Sequence, residues 1–173
     1  MIIWITGISG AGKSTIANEI IRTYKKHLPN LVNIDGDIVR EFFDQNLKYE
    51  EKDRIKQIKR IQKICKFLEQ QGLILIVSAL YSSNQLMKWN RENFSNYYEI
   101  FLDVSLSLVE KRDPKNLYKK YQEGKEKNVV GKDIPWIPPK NYDLKITMNE
   151  NTKVKDVIEK IISKLKIFNQ FSC

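Results

Sequence analysis

Apolar residues gather along the chain in short runs, and stretches of helical period lie between them. The runs are "IIWI" from Ile2, "LVNID" ending at Asp35, "LILIVS" ending at Ser78, "YEIFLD" ending at Asp103 and "DLKIT" ending at Thr147. Each reads as a strand. Ile55, Ile58, Ile61, Cys65 and Leu68 form one stripe, with Lys56, Lys59, Lys63 and Lys66 around the other side. That pattern predicts an amphipathic helix packed on the sheet. Val154, Val157, Ile158, Ile161, Ile162 and Leu165 repeat the signature and predict a closing helix. The alternation of strand and helix implies an α/β fold, with a mostly parallel sheet flanked by helices.

One segment departs from this rhythm, "RDPKNLYKKYQEGKEKNVVGKDIPWIPP", residues 112–139. Asp113 followed by Pro114 predicts a helix start, and Gly124 a stop. Beyond Gly124 the chain is polar, glycine-punctuated and proline-ended, with no strand pattern. A long irregular connection of this kind is expected to be a lid or binding loop. Neither an internal repeat nor a low-complexity linker is evident, and 173 residues suit a single domain, residues 1–173, with one well-filled core.

Composition narrows the class. An apolar content of 42% with 29% charged residues belongs to ordinary soluble globular proteins. "MIIWI" is too short for a secretory leader and runs directly into a glycine-rich loop, so it reads as a buried first strand and the protein as cytoplasmic. No apolar run approaches membrane-spanning length, and no membrane partner is expected. Cys65 lies on the helical stripe and Cys173 in the tail, which suits neither a disulfide nor a metal site. The net charge of +9 suits anionic small substrates. Many of the lysines fall on polar helix faces and no RNA-recognition, zinc-finger or helix-turn-helix signature is present, so no nucleic-acid partner is expected.

The candidate chemistry begins at "GISGAGKST", Gly7 to Thr15, which follows a strand and opens a helix. It matches G-x-x-x-x-G-K-[ST], the phosphate-binding P-loop. Gly7, Gly10 and Gly12 let backbone N–H groups converge on phosphates at the helix N-terminus, where Thr15 also stands. Lys13 reaches the β and γ phosphates, and Ser14 can ligate magnesium. ATP and Mg²⁺ are the expected cofactors, and the fold is a P-loop NTPase fold. A guanine-reading N/T-K-x-D is absent, because "TKVKD" has its aspartate one residue late, and the third strand ends "IVSAL" without a carboxylate. The candidates for metal and proton work are Asp35 and Asp37 in "NIDGDIVR", at the carboxyl end of the second strand. Such ends are where open α/β sheets place their sites. Two carboxylates beside a P-loop can orient a hydroxyl nucleophile and hold magnesium's water shell, which points to a kinase acting on an alcohol.

"GISGAGKST", "IDGDIVR", "DRIKQIKR" and "RDPKNLYKKYQEG", in this order and spacing, resemble the adenylylsulfate (APS) kinase family over nearly the whole chain. The resemblance implies Mg-ATP as donor, transfer to the ribose 3'-hydroxyl of a nucleotide bearing a 5'-anhydride, and a homodimer. It implies Asp35 and Asp37 as the pair at the acceptor hydroxyl and the metal, with Asp37 as catalytic base or the two roles reversed, Asp35 and Ser14 at the metal and Lys13 on the transferred phosphate. It places Arg40, Arg54, Gln57, Val77 and Ser78 on the acceptor, and Arg112 and Lys115 of the lid on ATP.

Departures from the family pattern fall together at the acceptor. The family's D-R-x-x-N-I-R-R has Gln57 for its asparagine and Lys59 for its first paired arginine. Its S-F-I-S-P has become "SALYSS", with Ala79 at the phenylalanine and Ser82 at the proline. Its F-T-G has become "VVG", with Val129 where a ring would stack on the base. Tyr49 still offers one aromatic wall, and Tyr81 or Trp136 could replace the other or simply pack. Loss of a stacking wall weakens a held base by about 1–3 kcal/mol, so a changed base or 5'-group is expected. The resemblance extends to a branch acting on cytidine diphosphoramidate in capsular polysaccharide modification. The alternatives are an APS kinase of sulfate activation, and a nucleotide- or RNA-binding P-loop module without kinase activity.

Overall fold

The computed structural model describes residues 1–44, 46–80 and 83–169. Tyr81, Ser82 and Cys173 therefore lie outside the described residues.

Five strands form the sheet: β1 (Ile2–Thr6), β2 (Leu31–Asp35), β3 (Ile74–Ser78), β4 (Tyr97–Val104) and β5 (Leu144–Met148). Their order is β2-β3-β1-β4-β5, and every pairing is parallel. All five coincide with the apolar runs of the sequence. Central β1 is buried at every position, as expected for a strand covered on both faces. Successive side chains of a strand point to opposite faces. Ile3 and Ile5 accordingly enter one apolar cluster, with Ile16 and Ile20 of α1 (Lys13–Tyr24) and Val157 and Ile161 of α7 (Val154–Lys164). Ile2 and Trp4 enter the other, with Ile58, Ile61 and Cys65 of α3 (Glu51–Gln70) and Leu86 and Met87 of α4 (Asn84–Asn93). Edge strand β5 alternates instead: Ile146 and Met148 are buried, while Lys145 and Thr147 are exposed.

Three short helices complete the region around the sheet's carboxyl end: α2 (Gly36–Phe42), α5 (Leu106–Arg112) and α6 (Leu117–Gln122), while α8 (Lys166–Asn169) follows α7. The helix expected to start at Asp113–Pro114 begins at Leu117 instead, because Asp113 and Asn116 both have positive φ. Asp113 still caps it from a distance, accepting from the Leu117 N–H at 2.8 Å and the Lys119 N–H at 2.9 Å. Gly124 ends it at φ +70, as expected of a helix C-terminus. The polar stretch beyond forms a tight turn at residues 128–134. Asp133 accepts from the N–H groups of Asn128 and Val129 at 2.7 and 2.6 Å, and Val129 and Val130 are buried.

A buried carboxyl sits where α4, β4 and the approach to β5 meet. Glu99 is fully buried. Its Oε2 accepts from the Tyr97 hydroxyl at 3.0 Å and faces the Arg91 guanidinium at 3.4 Å, and its backbone N–H donates to Asp143 at 2.7 Å. Arg91 also pairs with Asp143 at 3.1 Å. Burial pushes the Glu99 pKa up to about 7, with Tyr97 and Arg91 only partly opposing it and Asp143 adding to it. The folded carboxyl thus holds its proton where the unfolded one has lost it, so stability falls as pH rises from the ordinary carboxyl range to about 7, and is level above. Glu99→Gln should remove that slope. Thermal melts from pH 5 to 8 should show the variant gaining on the wild type as pH rises, and a constant difference between them would show that Glu99 does not titrate there.

Candidate functional site

The site is built from the turns that leave the carboxyl ends of β1, β2 and β3. After Thr6 the chain passes through the glycine-rich loop into α1. Gly7 is required because a Cβ there would lie 2.8 Å from the Leu102 carbonyl oxygen, and Gly12, at φ +91, takes the left-handed conformation just before the helix. Gly12 has no side chain to cap α1, so the first N–H groups of the helix are left for an anion, which the helix dipole also favours. Lys13 folds back over the loop and donates to the carbonyls of Gly7 and Ile8 at 2.8 and 2.9 Å. Burial lowers its pKa to about 8; Asp37 and Asp35 oppose the fall and Lys115 adds to it.

β2 delivers the two carboxylates. Asp35 is the N-cap of α2, accepting from the Asp37 N–H through Oδ1 at 2.9 Å. Its Oδ2 accepts from the Ser14 hydroxyl at 2.5 Å. One carboxylate therefore ties the phosphate loop to the helix that carries Asp37. Asp37 pairs with Lys115 of the α5–α6 turn at 2.5 Å. Burial works against the Lys115 charge, but the hydrogen bond and charge of Asp37 outweigh it, and its pKa is raised.

Beyond α2 the basic residues are held on backbone carbonyls. Buried Arg40 donates to Leu47 and Lys48 at 2.6 and 2.9 Å. Arg54 donates to the carbonyls of Tyr49 and Asn128 at 2.8 and 2.6 Å. The two guanidinium carbons stand 4.7 and 5.5 Å from the Tyr49 ring centroid, within the range of cation–π attraction. Gln57, buried on α3, donates to the Gly36 carbonyl at 3.0 Å and so supports the turn between the carboxylates.

These elements enclose a cleft of about 620 Å³. It is lined by Gly10, Gly12, Lys13, Ser14, Thr15, Asp35, Asp37, Arg40, Tyr49, Arg54, Gln57, Ser78, Arg112, Lys115 and Val129 among others. Two expected residues do not line it. Gly7 lies beneath the loop, where only its carbonyl serves, on Lys13. Val77 is fully buried in the core with Trp4 and Ile34, because the strand alternation turns it away. Ser78, next along β3, does line the cleft, and its buried hydroxyl has no hydrogen-bond partner among the described residues. Val129 is only 2% exposed and packs in the main core. Trp136 lies against Phe101, 6.5 Å between ring centroids, outside the cleft lining.

Sequence reading missed Leu80, Asn128, Thr152 and Val154, which also line the cleft. Thr152 and Val154 follow β5, so the rule that sites gather at the carboxyl ends of parallel strands could have pointed to them. Leu80 and Asn128 carry no local signal. At the β5 side Arg112, which also lines the cleft, donates to the Asn149 carbonyl at 2.8 Å.

Oxygen donors at Ser14 and Asp35 suit a hard cation. Among the described residues no cluster of three His, Cys, Asp or Glu could hold a metal by itself. Magnesium commonly takes one or two protein oxygens and completes its shell with substrate phosphates and water, and this donor set fits that habit.

Residues 1–147 match the protein family described as adenylylsulphate kinase. The chain is 35% identical over 166 residues to the cytidine diphosphoramidate kinase of Campylobacter jejuni, covering 96% of each chain. It is 36% identical over 168 residues to the adenylyl-sulfate kinase of Pseudomonas aeruginosa, covering 95% of this chain and 85% of that one. Among solved structures it is similar to the Mycobacterium tuberculosis APS kinase in complex with AMPPNP and APS, with a TM-score of 0.84, 28% identity and coverage of 94% and 95%.

The lowered Lys13 pKa has a measurable consequence. Above pH about 8 the ammonium is mostly neutral, and triphosphate binding, which favours the charged form, should take up a proton. Calorimetry in buffers of different ionisation heat should find proton uptake at pH 9 and little at pH 7. Equal uptake at both would mean that Lys13 does not titrate in this range.

Proposed function

We propose, since the chain belongs to the adenylylsulphate kinase family, that it is an ATP-dependent kinase phosphorylating the ribose 3'-hydroxyl of a nucleotide 5'-anhydride, and that this acceptor is cytidine diphosphoramidate. The observation that carries the kinase reading is the single cleft joining the phosphate loop, the Asp35–Asp37 pair and the Arg40–Arg54 pair. A loop suited to phosphates, a pair of carboxylates and a pair of guanidinium groups line one enclosure, which supports transfer between two nucleotides.

In this reading the first amides of α1 and the Lys13 ammonium bind the ATP phosphates, and Arg112 flanks the donor base with Thr152 and Val154. Ser14 and Asp35 would hold magnesium, which when bound neutralises phosphate charge. Arg40 and Arg54 hold the acceptor's 5'-group, since a guanidinium fork suits such anions. The acceptor hydroxyl sits at Asp37, which takes its proton as the oxygen attacks the γ-phosphorus of ATP, whose bond to the bridging oxygen breaks and releases ADP. Lys115, paired with Asp37, must give up that pair before Asp37 can serve as base, and moves to the transferred phosphate. The lid it belongs to excludes water and so protects ATP from hydrolysis.

The choice of cytidine over adenosine is supported by the apolar acceptor wall. Val129 and Ala79, where the resemblance would set rings, are small and buried, and the Tyr49 ring is engaged by two guanidinium groups. A purine loses stacking there, whereas a smaller base gives up less. The similar kinase of Campylobacter jejuni acts, by its name, on cytidine diphosphoramidate, and the adenylyl-sulfate kinases are equally similar. We place the protein in capsule modification, in the cytoplasm, as a homodimer. Ile38 and Phe42 of α2, 51% and 80% exposed, would suit a covering subunit. No helix of the described residues is long and apolar enough to cross a membrane.

Purified protein with Mg-ATP, offered APS and cytidine diphosphoramidate separately, should phosphorylate the cytidine compound preferentially, as followed by chromatography and phosphorus NMR. Preference for APS would mean an ordinary sulfate-activating kinase, and ATP turnover with neither would point to another acceptor. Lys13→Ala should abolish transfer, because the developing phosphate charge loses its cation. Asp37→Asn should lower kcat by about two orders of magnitude or more with little change in ATP affinity. Equal losses in both would remove Asp37 from the role of base.

A further inference from the structure

Tyr118 belongs to the "RDPKNLYKKYQEG" motif, yet nothing in the reaction described above uses it. It lies on α6, between the lid turn that carries Lys115 and the turn at residues 128–134. Its ring is 2% exposed and packs in the main core. Its hydroxyl donates at 3.0 Å to the carbonyl of Ser9, 109 residues earlier, at the crown of the phosphate loop. Burial, reinforced by the Glu110 and Asp113 carboxylates, pushes its pKa up to about 12, so the hydroxyl stays a donor at any working pH.

The consequence follows from peptide geometry. In a trans peptide the C=O and the following N–H lie in one plane and point in opposite directions, and the chain has no cis bonds among its described residues. The Ser9 carbonyl and the Gly10 N–H belong to the same plane. A carbonyl drawn toward Tyr118, which is in the core, turns the Gly10 N–H away from the core. Ser9 and Gly10 both line the cleft, and Tyr118 does not.

We propose that Tyr118 is a positioning residue for the phosphate donor: its bond to the Ser9 carbonyl orients the Gly10 amide toward the ATP phosphates and sets the lid helix against the loop. This rests on the reading of the loop as the ATP site. The same bond makes α6 a fixed abutment. Asp113 caps α6 through two N–H groups, so the turn holding Lys115 is tied to that helix. The lid thus takes its height above the phosphates from Tyr118.

The test is the affinity of the full chain for Mg-AMPPNP by calorimetry, comparing wild type with Tyr118→Phe and with Tyr121→Phe on the same helix. Loss of one neutral hydrogen bond should weaken binding by about three- to tenfold in Tyr118→Phe, with Tyr121→Phe unchanged and both melting temperatures within a few degrees of wild type. Acceptor affinity should stay unchanged in both. Unaltered AMPPNP affinity in folded Tyr118→Phe overturns the proposal. So does a fall in melting temperature accompanied by equal losses for donor and acceptor, which would make the bond merely structural. A wild type that fails to bind Mg-AMPPNP overturns the ATP reading along with it. Failure to find the acceptor, with the Tyr118→Phe defect present, leaves this inference standing and removes only the acceptor assignment.

Discussion

The arrangement of the cleft depends on the carboxylate of Asp35. One oxygen takes the Ser14 hydroxyl of the phosphate loop, and the other takes the N–H that opens α2. Without that bridge the β1–α1 and β2–α2 turns would be related only by the sheet beneath them. With it, Ser14 of the phosphate loop and the helix that carries Asp37 share a single carboxylate. The pairing of Asp35 with Ser78 in the sheet register brings the end of β3 to the same level, and Gly36 fits over the Ser78 carbonyl because a Cβ would lie 3.1 Å from it. The close approach of β2 and β3 at their ends is therefore part of the site.

Around this bridge the cations are held by carbonyl oxygens: Lys13 on Gly7 and Ile8, Arg40 on Leu47 and Lys48, and Arg54 on Tyr49 and Asn128. A carbonyl dipole orients a cation without cancelling its charge, so the enclosed space stays positive for anionic ligands, and positive potential in a cleft is strengthened by its low-dielectric walls. Lys115 differs, being paired with a full carboxylate.

The lid segment divides physically into two kinds of structure. Helix α6 is docked through Tyr118, and the turn at residues 128–134 is docked through Val129 and the Lys132–Glu110 pair. Gly131 lets that turn lie close to Ile8 and Leu106, where a Cβ would approach to 2.9 and 3.0 Å. The irregular connection therefore behaves as a strap laid across the phosphate loop, with the Arg54–Asn128 bond tying it to α3.

What the sequence determined by itself was what short-range pattern carries: five strands, the long α3 and the closing α7, the glycine loop, and the Asp35–Asp37 pair. Strand and helix periods repeat within a few residues, and a phosphate loop is a local backbone shape, so both are written in neighbouring letters. Only the tertiary structure decided that Val77 turns into the core while Ser78 faces the cleft, that Val129 is a core residue, that Asp113 caps a helix four residues away, and that Glu99 is a buried acid. It also decided the partner of Tyr118, which is 109 residues distant. Each of these depends on which surfaces meet when the helices pack on the sheet, and burial or a hydrogen bond between distant segments has no period along the chain.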